Sequence, residues 1–326
     1  MSNLATVSLL ITCFNKKQFI DSFRRQIEVV YKLNLEIILV DDFSSDGSRE
    51  SLIELKARFP EVKLILNESN LGSAASRNIA ISEASRKWIF FWDIDDQVDF
   101  RVLDKMIEQA NTNNVDLCVG LYESIPATAE TKPFAETHQK GIHSIQDVSK
   151  NLIDQMGYWR NLYSRDFLIN NRIFFYPTLE QISSKTFILD DVFFMILCST
   201  SPGKMSYYDG HEPVYFYRST VHTEISWSRF LSQAMLFPKA SVLFVENMNS
   251  YLRSESNLIY KFVLQKTRTH MAYLRFTQWN HAILSYLRLL LLIRRQVASP
   301  NIVFEFFRQM IIALRNSLSY ALRNTS

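Results

Sequence analysis

Trp88-Ile89-Phe90-Phe91-Trp92-Asp93-Ile94-Asp95-Asp96 sets five apolar residues directly against a run containing three carboxylates. An uninterrupted apolar pentapeptide reads as a strand buried on both faces, as in a parallel sheet covered by helices. Carboxylates repel one another. An acidic cluster issuing straight from such a strand therefore puts negative charge at the rim of a buried sheet, where a cation is the natural partner. Alone, the motif is ambiguous. Asp-x-Asp arises about once by chance at this length and composition, and acidic clusters also serve as solvated loops or helix N-caps. The flanking segments must decide.

Toward the N-terminus the same grammar repeats. Val7 to Cys13 and Glu36 to Val40 are apolar runs, the second ending in Asp41-Asp42, and Val62 to Leu66 is a third. Between them Lys17 to Tyr31, Ser45 to Arg58 and Gly72 to Ala84 carry helical spacing. The order is β-α-β-α-β-α-β, which predicts a mostly parallel α/β sheet flanked by helices. Ligands of such sheets bind beyond the carboxyl ends of the strands. Every polar cluster named below falls at one of those ends.

Past Asp96 the pattern predicts a helix around Arg101 to Ala110 and a strand over Asp116 to Leu121. A polar stretch from Glu123 to Gly141 follows, then a tract from Ile145 to a helix-like segment at Phe187 to Ile196. From about Trp227 only helical periodicity remains, broken at Pro238 and Pro300.

At 326 residues, 47% hydrophobic and 21% charged, the chain can bury a substantial core. Its three cysteines, Cys13, Cys118 and Cys198, are widely spaced and form no CxxC pair, which argues against zinc and for a reducing compartment. No basic stretch followed by a long apolar run opens the chain, so a cytoplasmic protein is expected. The net charge of +3 hides an asymmetry: residues 251–326 hold eleven Lys or Arg against two Glu, a balance of +9, and the first 250 residues sum to −6. Such a tail suits an anionic membrane surface, or it is the solvated face of helices that pack together or build a homo-oligomer. Its longest apolar stretch, His281 to Ile293, is too short and too interrupted to span a bilayer.

The strand ends carry the chemistry. Thr12-Cys13-Phe14-Asn15 offers a hydroxyl and an aromatic to a base ring, or simply core packing. Asp41-Asp42-Phe43-Ser44-Ser45-Asp46-Gly47-Ser48 is an acidic turn that serves as a helix cap, or turns a carboxylate toward the N–H of a pyrimidine. Asn70-Leu71-Gly72 opens a helix whose Arg77 can face a phosphate or a base. Asp190-Asp191 is flanked by Phe187-Ile188-Leu189 and Val192-Phe193-Phe194, and an acid set in so much hydrocarbon needs a reason.

Taken in order, Val7 to Asn15, Glu36 to Gly47, Asn70-Leu71-Gly72, Ser76-Arg77-Asn78 and Asp93 to Asp96 resemble the nucleotide-sugar-binding half of the family 2 glycosyltransferases, enzymes of the GT-A fold that build cell-surface glycans. Trp159 to Tyr163, Phe167-Leu168, Ile173-Phe174 and Leu189 to Phe194 resemble the acceptor side, and Tyr215 to Arg218 with Ile225-Ser226 resembles a closing loop. The likeness spans residues 5 to about 228, implying a catalytic domain over 1–228 and a helical, basic region over 229–326.

The resemblance implies roles. Thr12, Phe14 and Asp42 would cradle the base, with Asn15 beside them, Phe14 standing where the family often has Tyr. Arg77 would support the base pocket. Asp93 would take the ribose and Asp95 a Mn2+ or Mg2+ ion bridging the phosphates, with the role of Asp96 open. Arg218 would meet phosphate, and His222 would be a metal or pyrophosphate ligand. Trp159 and Asp190 would face the acceptor, although the family usually has Glu at position 190. Asp191 would be the general base. A carboxylate-held cation neutralises the leaving diphosphate, and a single base opposite the leaving group means displacement with inversion.

The expected function is thus transfer of a sugar from a UDP-like donor to a hydroxyl of a glycan or lipid-linked acceptor at the inner membrane face; nucleic acid is not an expected partner. One rival is a non-catalytic, glycan-binding or scaffolding subunit of the same fold. Another is a nucleotidyltransferase, which would call for a glycine-rich loop that Thr12 to Lys17 lacks.

Overall fold

The computed structural model describes residues 2–125, 141–148, 157–176 and 190–218, together with isolated positions of the tail. The chain divides into two compact units, Met1–Pro177 with Leu197–Thr220, and Thr178–Ile196 with Val221–Ser326.

The first unit follows the expected alternation. Strand β1 (Val7–Cys13) leads through a 3-10 turn at Lys17–Phe19 into α1 (Ile20–Val30). Helix α1 buries Ile20, Phe23, Ile27 and Val30, a single apolar stripe. Strand β2 (Glu36–Asp41), α2 (Ser48–Arg58), β3 (Lys63–Leu66), α3 (Ser73–Glu83) and β4 (Trp88–Asp93) complete the series. Helix α2 starts three residues later than the spacing suggests. Asp46 accepts hydrogen bonds from the Ser48 backbone N at 3.0 Å and from its hydroxyl at 2.5 Å, and Gly47 takes a φ of 89°, so the turn delays the helix.

After β5 (Gln97–Val98), α4 (Phe100–Asn113) is capped by Asp99, whose side chain accepts from Arg101 N and Val102 N. Then come β6 (Leu117–Val119), β7 (Tyr122–Ile125), β8 (Ile142–Ser144), β9 (Asn161–Ser164), α5 (Arg165–Asn170), α6 (Asp190–Thr200), β10 (Lys204–Tyr207) and β11 (Tyr215–Arg218).

Among the described residues the main sheet runs β3-β2-β1-β4-β9-β6-β10-β8. Strands β3, β2, β1 and β4 are mutually parallel, whereas β9 enters antiparallel to both β4 and β6. A smaller sheet, β5-β11-β7, pairs β11 with segments about a hundred residues earlier in the chain. Its β7 takes up residues that read as the start of a polar loop. The core gathers Leu9, Ile11, Phe23, Leu39, Phe90, Trp92, Leu103 and Met106 between sheet and helices. Cys13, Cys118 and Cys198 are buried free thiols.

In the second unit, the first part of α6 is buried from Val192 to Ile196, and Phe193 stacks on Phe244 at 4.5 Å. The expected helices of the tail, the polar stretch beyond Ile125, and His222 lie outside the described residues. No described helix is long and apolar enough to cross a membrane.

Candidate active site

Register brings the polar strand ends onto one rim. Thr12 lies beside Val40 on one side and Asp93 on the other, while Cys13 pairs with Asp41 and Asp41 with Leu66. The loops after β1 and β2 are laced together. Asn15 N donates to Ser44 Oγ (3.0 Å), Ser45 N to Asn15 Oδ1 (2.9 Å), Lys16 N to Ser48 Oγ (2.9 Å) and Lys17 N to Asp46 Oδ2 (2.9 Å). The Asn15 side chain therefore orders backbone. Phe14, 45% exposed, and Phe43, 47% exposed, stand out of this laced pair of loops as apolar faces to solvent. Phe43 holds a φ of 64°, costly for a bulky residue, and the Arg49 guanidinium lies 5.2 Å from its ring centre. No sequence pattern singles out Phe43; only its backbone angle and exposure mark it. Burial, with Asp41 beside it, pushes the Cys13 thiol up to about 12, so the thiol stays neutral.

Asp42 is 3% exposed and already engaged by the protein. Its Oδ1 accepts from Asn67 Nδ2 (2.9 Å) and Leu71 N (2.8 Å), and its Oδ2 accepts from Gly72 N (2.8 Å). Asn67 continues the chain to Ser76 Oγ at 3.0 Å. This carboxylate thus fixes the loop that starts α3, where Gly72 adopts φ 86° and ψ 165°, a conformation essentially confined to glycine.

Helix α3 then presents Arg77. Its guanidinium lies over the rings of Tyr158 (4.8 Å) and Phe175 (5.2 Å), and Nη2 reaches Asp93 Oδ1 at 3.5 Å. Asp93 also accepts from Tyr158 Oη at 3.4 Å, and its backbone N donates to Tyr215 Oη at 3.1 Å. Asp95 Oδ2 accepts from Lys16 Nζ, while the Asp95 carbonyl accepts from Arg218 Nε at 2.9 Å.

The role left open for Asp96 is filled. It is 3% exposed, and its carboxylate accepts from Tyr215 Oη (2.8 Å) and Arg218 N (2.6 Å), clasping β11 to the acidic turn. Burial and then the neighbouring Asp93 raise its carboxyl to about 7, against the lowering effect of those two hydrogen bonds, with Asp95 adding to the rise. Tyr215 belongs to the stretch that resembles a closing loop, but no sequence signal gives it this partner; β11 brings it to Asp96 across 119 positions.

The structure thus brings Thr12, Phe14, Asn15, Asp42, Arg77, Asp93, Asp95 and Arg218 to one rim. Trp159 is half-buried and stacked on Tyr217 at 5.6 Å with planes 13° apart. Asp190 and Asp191 open α6 in the second unit, where Asp191 is half-buried and its Oδ1 accepts from Val192 N at 2.9 Å.

The residues present suit a hard divalent ion. Asp95 already faces a positive charge through carboxylate oxygen, and Asp93 and Asp96 share the same turn. Among the described residues no three His, Cys, Asp or Glu side chains converge into a cage. A Mg2+-type site would need only one or two carboxylates beside substrate phosphates, and Asp95 is the carboxylate of this turn whose side chain meets a cation at a partly exposed position.

The model of the family described as "Glycosyl transferase family 2" matches residues 8–194. The chain belongs to glycosyl transferase family 2. This glycosyltransferase is 24% identical over 278 residues to a cholesterol galactosyltransferase of Borreliella burgdorferi, covering 79% of this chain and 72% of that one. It is 31% identical over 119 residues to the UDP-Glc:alpha-D-GlcNAc-diphosphoundecaprenol beta-1,3-glucosyltransferase WfgD of Escherichia coli, covering 36% and 46% of the two chains. The chain spans about half the length of several curated relatives it matches, WfgD among them. Among solved structures, residues 1–349 of S. aureus TarS in complex with UDP-GlcNAc superpose with a TM-score of 0.66 over 97% of this chain and 92% of that one. At 15% identity this likeness concerns the fold, which is GT-A.

Proposed function

We propose that this glycosyltransferase moves a sugar from a UDP-sugar, with Mn2+ or Mg2+, onto a hydroxyl of a glycan or lipid-linked acceptor in cell-surface polysaccharide assembly, inverting the anomeric centre. The observation that carries this reading is the acidic turn at the end of β4. There Asp95 faces a cation, Asp93 is held by Arg77 and Tyr158, and Arg218 is tied down by Asp95 and Asp96. The choice of uridine nucleotide and acceptor is supported by relatives: WfgD is named for UDP-Glc and a diphosphoundecaprenol acceptor, the Borreliella enzyme for cholesterol, and TarS was solved with UDP-GlcNAc.

In this reading Phe14 supplies an apolar face for the base, Thr12 and Asp42 border it, and Arg77 supports that pocket from α3. Asp93 accepts from the ribose hydroxyls. Asp95 holds the divalent ion, which when bound neutralises the charge that builds on the departing diphosphate. Arg218, with its guanidinium fork, adds a further counter-charge. Asp191 takes the proton of the acceptor hydroxyl as that oxygen bonds to the anomeric carbon. The bond from that carbon to the diphosphate breaks, and UDP leaves on the opposite face. Trp159 and Asp190 belong to the acceptor side, and His222 to the phosphate side. The basic tail, residues 229–326, serves membrane docking or self-association.

A panel of nucleotide-sugars screened for transfer or slow hydrolysis tests the donor. Asp191→Asn should bind UDP normally and lose about two to four powers of ten in turnover; normal turnover in that variant removes Asp191 as the base. Excess chelator should abolish activity, with Mn2+ or Mg2+ restoring it. Full activity in chelator would overturn the metal assignment.

A further inference from the structure

The Lys16 ammonium lies against the Asp95 carboxylate, the group proposed to hold the divalent ion. Its surroundings separate a fixed root from a movable tip. The backbone is held, since Lys16 N donates to Ser48 Oγ and both neighbouring residues are tied to the 44–48 loop. The side chain is 35% exposed, touches Asp95, and passes over the Phe19 ring with Nζ 5.5 Å from its centre. The lysine end of the pair is the more exposed, 35% against 19% for Asp95, and its flexible four-carbon stem lets the ammonium swing.

Arg218, the other cation at this turn, is different. Its backbone N is fixed by Asp96 and its Nε by the Asp95 carbonyl, and its guanidinium also lies over Phe19, at 5.8 Å. It has little freedom to leave. A divalent ion arriving at the Asp95 carboxylate would lie close to the Lys16 ammonium, which already contacts Oδ2, and two cations at one carboxylate repel. The anion that arrives with the metal is the diphosphate of the donor, and lysine binds phosphate well as a point charge.

Resting on the assignment of Asp95 to the metal, we infer that Lys16 is an exchangeable counter-ion. It neutralises Asp95 while the site is without donor, yields that carboxylate to the divalent ion, and moves its ammonium onto the diphosphate of the bound nucleotide. Lys16 would then disfavour metal binding in the absence of nucleotide and favour nucleotide binding in the presence of metal. A merely structural ion pair gives no such opposition.

The test uses the full chain and calorimetric or electron-paramagnetic-resonance titration, with Mn2+ alone and with UDP at saturating Mn2+. Lys16→Met and Lys16→Gln should each bind Mn2+ alone about fivefold more tightly, because the competing occupant is gone. They should bind UDP·Mn2+ about tenfold more weakly, for loss of a charged phosphate contact. Unchanged values, or a shift of both affinities in the same direction, would overturn the exchange. If wild type binds Mn2+ and Asp95→Asn does not, while the Lys16 variants match wild type, the lysine inference falls and the metal assignment stands. If wild type binds no Mn2+ even with UDP, both fall.

Discussion

Asp41-Asp42 at the end of β2 and Asp93 to Asp96 at the end of β4 sit two strands apart on one rim, and both look in sequence like acid following an apolar strand. Their neutralisation differs. Asp42 is met on both oxygens by backbone N–H groups and an amide, and Asp41 Oδ2 is met by Ser44 N at 3.2 Å and Arg49 Nε at 2.6 Å. These are fixed donors within the scaffold, so the charge is spent on holding loops 41–49 and 67–72 in shape. At the second cluster Asp96 is likewise held, by Tyr215 Oη and Arg218 N, with its carboxyl raised to about 7, but Asp95 meets a partly exposed lysine, and Asp93 meets an arginine 3.5 Å away and the Tyr158 hydroxyl. Under the proposed function the contrast separates acid that builds a pocket from acid that would take a metal ion.

The sharpest way to break this contrast is to remove one carboxylate from each end. Asp95→Asn should cut turnover about a thousandfold, the scale of losing a main stabiliser of developing charge, and should leave the melting temperature nearly unchanged or higher. A large loss of stability with turnover retained would reverse the assignment. Asp42→Asn should instead cost about 2 kcal/mol of stability, since an amide NH2 cannot satisfy the N–H groups of both Leu71 and Gly72. Chemical denaturation reads that directly.

A pH series sharpens the second cluster. In chelator, the folded state keeps a proton on Asp96 between its ordinary value of 3.8 and about 7, whereas the unfolded chain has lost it. More protons bound in the folded state means that stability falls as pH rises through this window. Asp96→Asn should flatten that decline; an equal slope in the variant would show that Asp96 does not carry it. The smallest effect belongs to Tyr215→Phe, which removes the hydroxyl joining Asp96 Oδ2 and Asp93 N, at about 1 kcal/mol. It should also lower Mn2+ affinity modestly by loosening the turn, and unchanged affinity would confine Tyr215 to packing.

Most of the first 110 residues were legible because their signals are local. Val7 to Cys13 appears as β1 over the residues expected, and the apolar spacing of α1 and α4 marks their buried faces. Legibility fades after Val115. There β9 inserts antiparallel between β4 and β6, and β7 pairs with β11, contacts that no periodicity encodes. Within the site, the strand-end rule placed Thr12, Asp42, Asp93 and Asp95 together, but could not show that Asp42 is already engaged on both oxygens or that Lys16 lies on Asp95.

By itself, then, the sequence determined the strand and helix order, the rim on which the acids gather and the family of the chain, because apolar runs, helical spacing and short motifs are properties of neighbours along the chain. Only the tertiary structure decided what each acid does. Lys16 meets Asp95 across 79 positions, Tyr215 meets Asp96 across 119, and Arg218 meets it across 122. A carboxylate's charge state and freedom depend on which donors surround it in space, and folding, not sequence proximity, supplies those donors.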